Sequence, residues 1–149
     1  MLRAATHADI PRLMEIRASV GENRLSDPNR VTLADYNWFI DHAAIHVREE
    51  EDCIQGLSAG DPRDGSIWAL FVHPEFEGGG VGQTLIQAAR RSLVEAGHHV
   101  ASLSTEPGSR AELFYLRNGW IAKGRQRRGA ICKGPLTQPI WSATGQGRA

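Results

Sequence analysis

Ile67-Trp68-Ala69-Leu70-Phe71-Val72-His73-Pro74-Glu75-Phe76-Glu77-Gly78-Gly79-Gly80-Val81-Gly82 runs from an apolar segment through glycines into a periodic one. Ile67 to Val72 has the length and composition of a strand buried on both faces. Pro74 stops it, because proline cannot donate to a ladder. Val81, Leu85, Ala89 and Leu93 then recur every fourth position, a helical stripe, with Gly97 as its C′ terminator. A glycine turn that opens onto a helix N-terminus presents successive backbone N–H groups at the positive end of the helix dipole. Such a turn is an anion cradle, and it predicts a phosphate-bearing ligand. A purely structural glycine turn is the alternative.

The chain of 149 residues is long enough for one domain that buries about two-thirds of its unfolded surface. Lys plus Arg equals Asp plus Glu at 17 each, so no overall field recruits nucleic acid or an anionic membrane. The two cysteines, Cys53 and Cys132, are far apart and outside any metal spacing, which predicts reduced, buried thiols and no metal. Met1 to Thr6 lacks the apolar core of a signal peptide, and no run has the length of a membrane span. A soluble cytoplasmic domain is the expectation.

Taken in order, Leu2 to Ala5 reads as a strand. Asp9 is a good N-cap with Pro11 in the first turn, and Ile10, Leu13, Met14 and Arg17 carry a helix to about Ser19. Gly21 to Arg30 is polar, turn-rich and long, either a binding loop or a solvated connector. Thr32, with Asp35 three residues on, opens a second helix through Tyr36, Phe39 and Ile40. Ile45 to Arg48 alternates, Glu49 to Asp52 reads as a charged hairpin turn, and Cys53 to Ser58 returns. With the turn Gly60 to Gly65, these segments form an antiparallel meander ending in the Ile67 strand.

Val100 to Thr105 is a strand joined to the Ile67 strand by a helical crossover, hence parallel to it. Ser109 caps a short helix with Glu112 at N3, and Asn118-Gly119 ends it. Trp120 to Ala122 starts a strand, Arg125 to Gly129 is the turn of a final hairpin, and Ala130 to Cys132 returns. Thr137 to Ala149 reads as a loosely ordered tail. The organisation expected is one domain, 1–134, followed by a tail, 135–149.

The glycine turn is not a P-loop, since no Gly-Lys-Ser/Thr follows. Nor does it fit a dinucleotide fingerprint: the third glycine position is Gln83 counted from Gly78 and Leu85 counted from Gly80. It resembles motif A of the Gcn5-related N-acetyltransferase (GNAT) family, Gln/Arg-x-x-Gly-x-Gly/Ala after a strand ending in Val-x-Pro. Gly80 and Gly82 match, and Glu77 departs at the first position. Ser109-Arg110-Ala111-Glu112-Leu113-Phe114-Tyr115-Leu116-Arg117-Asn118-Gly119-Trp120 resembles the family's motif B, Ala-x-x-Phe/Leu-Tyr-x-x-x-Gly-Phe/Trp, in the right order and spacing. The resemblance spans Leu2 to Lys133.

It implies an α/β single domain of the acyl-CoA N-acyltransferase fold, a mixed, mostly antiparallel sheet flanked by helices. It also implies an acetyl-CoA-dependent N-acetyltransferase acting on a small-molecule or peptide primary amine by direct attack through a tetrahedral intermediate. Acetyl-CoA is then the co-substrate, and neither nucleic acid nor membrane is a partner; a homodimer is compatible with the family. Glu77, Gly78, Gly79, Gly80, Val81, Gly82, Gln83 and Thr84 would hold the pyrophosphate, and Ser109 would stand where the family has an asparagine that touches pantetheine. Leu70, Phe71 and Val72 would line the splayed strand along which the pantetheine lies, with backbone N–H groups polarising the thioester carbonyl.

Tyr115 matches the family's general acid; a phenol with a pKa of about 10 is still protonated at neutral pH. Its alternative is a core aromatic. No carboxylate stands on the Ile67 strand where the family often has a glutamate; Glu22 and Asp27 of the loop are the candidate bases, Glu22 taken first, and His73 reads as a turn residue. Arg24, Ser26 and Asp27 are the candidate acceptor contacts. Two rival readings stand beside this one. One is a non-catalytic acyl-CoA-binding regulatory domain. The other is an interaction module using Arg125, Arg127, Arg128 and Lys133.

Overall fold

The computed structural model describes residues 1–20, 32–105, 110–126 and 129–135. Seven strands form one sheet: β1 (Leu2–Ala4), β2 (His46–Glu50), β3 (Cys53–Asp61), β4 (Ser66–Val72), β5 (Val100–Thr105), β6 (Ile121–Gln126) and β7 (Gly129–Pro135). Their spatial order is β1-β2-β3-β4-β5-β7-β6, and every neighbouring pair is antiparallel except β4–β5. The helices are α1 (Ile10–Ser19), α2 (Leu33–His42), α3 (Val81–Glu95) and α4 (Arg110–Arg117). This is the mixed, mostly antiparallel α/β architecture that the sequence implied.

The helices divide between two cores. Ile10, Leu13 and Ile16 of α1 with Tyr36 and Phe39 of α2 bury against Val47, Leu57, Ala69 and Phe71. Ile86 and Leu93 of α3 with Tyr115 of α4 bury against Ala101, Leu103 and Trp120, with Ile67 and Leu70 packed on them. The helix stripe behaves as its period demands: Val81, Leu85, Ala89 and Leu93 are all buried. Small residues on β3 let α3 lie close. A Cβ at Gly56 would stand 2.8 Å from Leu85 Cδ1, one at Gly60 2.6 Å from Leu93 Cγ, and between them the Ser58 hydroxyl donates to the Leu85 carbonyl at 2.7 Å.

Three local expectations are corrected. Of the acidic run, only Glu51 and Asp52 turn, with φ of 53° and 62°; Glu49 and Glu50 continue β2 past a register shift at Arg48/Glu49. Glu49 is held there by the Arg3 guanidinium, 2.9 Å away. Asp9 precedes α1 but makes no side-chain cap bond to it. Its carboxylate instead accepts the Thr6 N–H at 2.8 Å and pairs with Arg3 at 2.9 Å, tying the edge strand to the start of the helix. In the last hairpin both strands run further than expected, to Gln126 and from Gly129. Its tip and residues 136–149 lie outside the described residues.

β4 is not strictly alternating. A register shift between Ala59 and Gly60 leaves Trp68 as an extra residue opposite β3. Trp68 therefore joins Ala69 and Phe71 on the α1/α2 face, while Ile67 and Leu70 pack on the α3/α4 side.

Candidate functional site

The parallel pair is where the sheet opens. β4 and β5 are in register only at Ser66 and Ser102, with the Ser102 N–H donating to the Gly65 carbonyl at 3.1 Å. Among the described residues, β5 pairs with no residue of β4 from Trp68 to Val72, which leaves that stretch of its edge open. His73 N–H donates to the Gln55 carbonyl at 2.9 Å, and Phe71 stands opposite Leu57, so alternation directs the amides of Phe71 and His73 at β3. Leu70 and Val72 then present theirs along the open edge. Phe71 contributes its side chain to the α1/α2 core instead.

The chain leaves this edge through a single 3-10 turn, Pro74–Phe76, capped by His73, whose Nδ1 accepts the Glu75 N–H at 3.2 Å. Glu77 follows, exposed. Gly78 and Gly80 take φ of 86° and 83°, a region where a Cβ is strained, and a side chain added at either would meet nothing within 4 Å. Gly80 is the N-cap of α3 with no side-chain cap bond. The first intrahelical bond of α3 runs from the Thr84 N–H to the Gly80 carbonyl at 3.2 Å, which leaves the Val81, Gly82 and Gln83 amides without an acceptor in the helix. Uncapped donors before open space, at the positive end of a helix of 15 residues, are suited to an anion.

Two further groups border this cradle: Arg48, which the sequence did not single out, and Phe114, which it named only as a residue of the motif B helix. Arg48 of β2 donates from Nη1 to Thr84 Oγ1 at 3.5 Å, which brings a cation to the first turn of α3. The Phe114 ring of α4 faces Gly82: a Cβ there would lie 3.5 Å from Phe114 Cε1 and 3.8 Å from Val72 Cγ2. Turn, strand end and α4 thus converge on one place.

Tyr115 lies deeper than its neighbour. It is 6 % exposed and stands edge-on to Phe114 at 5.3 Å and to Trp120 at 5.4 Å. The Trp120 N–H donates to the Tyr115 carbonyl at 3.0 Å past Gly119, whose φ of 89° turns the chain back onto the helix end. Buried Arg90 of α3 places its guanidinium 4.9 Å from the Trp120 ring centre. Burial pulls Arg90 down to about 10, and the charge interaction with Tyr115 opposes the fall. The cluster spans residues of both β4 and β5, so Tyr115 belongs to the layer that joins the parting strands.

On the other face the Arg17 guanidinium of α1 sits 5.1 Å from the Phe71 ring centre. Burial raises the Tyr36 phenol, and neighbouring Arg17 opposes the rise by charge and by hydrogen bonding. Nearby, Phe39 stacks on Trp68 at 4.1 Å, and Arg63 covers Trp38 at 3.9 Å while its guanidinium grips Asp61 at 2.9 and 2.8 Å. Glu22, Arg24, Ser26, Asp27 and Ser109 lie outside the described residues. Among the described residues, no group of three or more His, Cys, Asp or Glu could hold a metal ion, and no helix is long and apolar enough to cross a membrane.

A family model described as an acetyltransferase (GNAT) domain matches residues 41–122, more than half of the chain. No curated protein matches. Among solved structures, the ribosomal-protein-alanine N-acetyltransferase of Brucella melitensis shares 23 % identity at a TM-score of 0.71, over 91 % of this chain and 99 % of that one. PaiA N-acetyltransferase of Thermoplasma acidophilum in complex with coenzyme A shares 13 % at 0.75, over 91 % and 98 %. YncA of Salmonella typhimurium with its cofactor acetyl-CoA shares 21 % at 0.71, over 93 % and 94 %. At these identities the likeness is one of fold.

Proposed function

The chain belongs to the GNAT acetyltransferase family, and we propose that it transfers acetyl from acetyl-CoA to a primary amine. One observation carries the cofactor assignment. Among the described residues, the α3 amides of Val81, Gly82 and Gln83 have neither side-chain cap nor intrahelical acceptor, and Arg48 stands beside them. That donor set fits a pyrophosphate, which needs several N–H donors and positive charge at close approach.

The described residues then take roles by position, and Glu22 keeps the role assigned to it from the sequence. The pantetheine arm lies along the β4 edge left without a β5 partner. The Val72 amide, at the end of that edge, hydrogen-bonds the thioester carbonyl and strengthens as negative charge develops on its oxygen. A neutral amine attacks the carbonyl directly. Glu22 is the proposed base that accepts the amine proton, and Tyr115 donates a proton to the leaving thiolate. The depth of Tyr115 favours a second reading, in which the domain binds acyl-CoA without turnover.

Thermal unfolding with acetyl-CoA tests the assignment, with adenosine phosphates and NAD as controls. Ligand at a hundred times its dissociation constant adds about 2.7 kcal/mol, a rise of roughly 5 to 11 °C for a domain of this size. A rise specific to acetyl-CoA supports it, and a flat response at millimolar ligand overturns it. Thiol release in the presence of amines then separates turnover from binding alone.

A further inference from the structure

The face of the sheet opposite the glycine helix holds a cation that the acetyl-transfer chemistry above does not use. Arg17 is partly exposed near the end of α1, with its guanidinium 5.1 Å from the ring of Phe71, the residue before Val72. The Tyr36 phenol is its other neighbour. The other arginines of α1, β1 and the β3–β4 turn have carboxylate partners: Arg12 with Glu15, Arg3 with Asp9 and Glu49, and Arg63 with Asp61. Among the described residues, no carboxylate pairs with Arg17.

Position gives this cation a use. On the α3/α4 side the parting of β4 and β5 is lined by Leu70, Phe114, Tyr115 and Trp120, packed as one cluster. An amine that attacks a carbonyl held at Val72 therefore arrives from the α1/α2 side, past Phe71 and Arg17. A guanidinium resting on an aromatic ring and against a phenol is pre-oriented, so little side-chain freedom is lost when it engages an anion. Its planar fork matches the two oxygens of a carboxylate. The same charge repels polycationic acceptors.

We propose that the acceptor is a small primary amine bearing a carboxylate, of the amino-acid class, and that Arg17 binds that carboxylate while the amine faces the thioester. The inference rests on the acetyltransferase reading. Arg17 is a specificity-determining residue in it and takes no part in proton transfer.

The test is thiol release by the full chain with acetyl-CoA and a panel of amino acids, each paired with its methyl ester, plus a polyamine. Esterification lowers the amine pKa and so enlarges the neutral, nucleophilic fraction at neutral pH. A preference for the free acid therefore cannot come from basicity. For the best acceptor, kcat/KM of the acid should exceed that of the ester by about tenfold to a hundredfold, the usual scale of a hydrogen bond to a charged group. In Arg17→Gln that ratio should collapse towards one, with the loss in KM rather than kcat, and Arg17→Lys should restore part of it.

Retention of the acetyl-CoA thermal shift in both variants shows that they fold. Equal use of acids and esters, the polyamine as best acceptor, or a ratio that survives in Arg17→Gln overturns the inference while leaving the acetyltransferase reading intact. Absence of thiol release with every amine, despite a thermal shift, overturns that reading itself, and the inference with it.

Discussion

Ser66 of β4 stands opposite Ser102 of β5, and among the described residues the two strands are in register at no other pair. The open edge of β4 follows from that single anchor. Beyond it β4 keeps β3 on one edge and exposes the Leu70 and Val72 amides on the other. The glycine turn and α3 begin where the same chain leaves the strand, after the Pro74–Phe76 turn.

The cradle is open to a paired test at two glycines. Gly80 and Gly97 both have positive φ, 83° and 96°, at opposite ends of α3, with no atom within 4 Å of an added Cβ. Alanine at either should cost roughly 1 to 2 kcal/mol of stability through left-handed strain. Only Gly80→Ala also places a methyl before the α3 amides. Calorimetry should show acetyl-CoA affinity reduced about tenfold or more in Gly80→Ala and unchanged in Gly97→Ala.

Arg48 touches Thr84 in the first turn of α3. If its charge serves the phosphates, Arg48→Met should weaken coenzyme A binding by about tenfold, on the scale of one charge-assisted hydrogen bond. It should also flatten the salt dependence of binding, since one screened attraction is gone. Titrations at two ionic strengths, repeated with dephospho-coenzyme A, would show whether the 3′-phosphate or the pyrophosphate is its partner. Equal affinities for wild type and variant in every titration would remove Arg48 from the site.

Tyr115→Phe keeps the ring against Phe114 and Trp120 and removes only the hydroxyl. A general acid contributes about a hundredfold to ten-thousandfold, so steady-state kinetics should show kcat reduced at least a hundredfold with KM for acetyl-CoA little changed. An unchanged kcat with a lowered melting temperature would make Tyr115 a core residue only.

The acid limb of stability should report Asp9. Hydrogen bonding to Arg3 holds its carboxyl down at about 2, from an ordinary 3.8. Because the folded form holds its proton less tightly, the stabilisation is complete above pH 4 and is lost as pH falls through 2. Solvent screens a partly exposed pair, so urea denaturation should show Asp9→Asn less stable than wild type by about 1 kcal/mol at pH 7, with the difference shrinking towards pH 2. His46, lowered by burial, adds to the slope in the same direction between its ordinary 6.5 and its lower folded value. An Asp9→Asn difference that is independent of pH would rule out the ion pair as its cause.

What the sequence determined by itself is local in its physics. Pro74 must end a strand, glycines at 78 and 80 permit a left-handed turn, and a stripe at every fourth residue must face a core. Thr32 and Asp35 form the expected capping box, and Gly97 and Gly119 end helices as glycines at φ above zero do. The meander followed from short turns between alternating segments. The strand, turn and helix of the candidate site could therefore be read in order along the chain.

Only the tertiary structure decided how distant segments meet. β7 lies between β5 and β6, which no local pattern encodes. Arg48 reaches α3 because β2 and α3 are neighbours through β3, and Arg17 reaches Phe71 because α1 packs across β4. The extra residue at Trp68 changes which face the side chains before it occupy, since a shift of one position in a strand exchanges its two faces. Phe114, rather than Tyr115, faces the glycine turn, because adjacent helical residues point about 100° apart and packing selects which one meets Gly82. Periodicity names the residues of a face; contacts between residues far apart in the chain choose its partner.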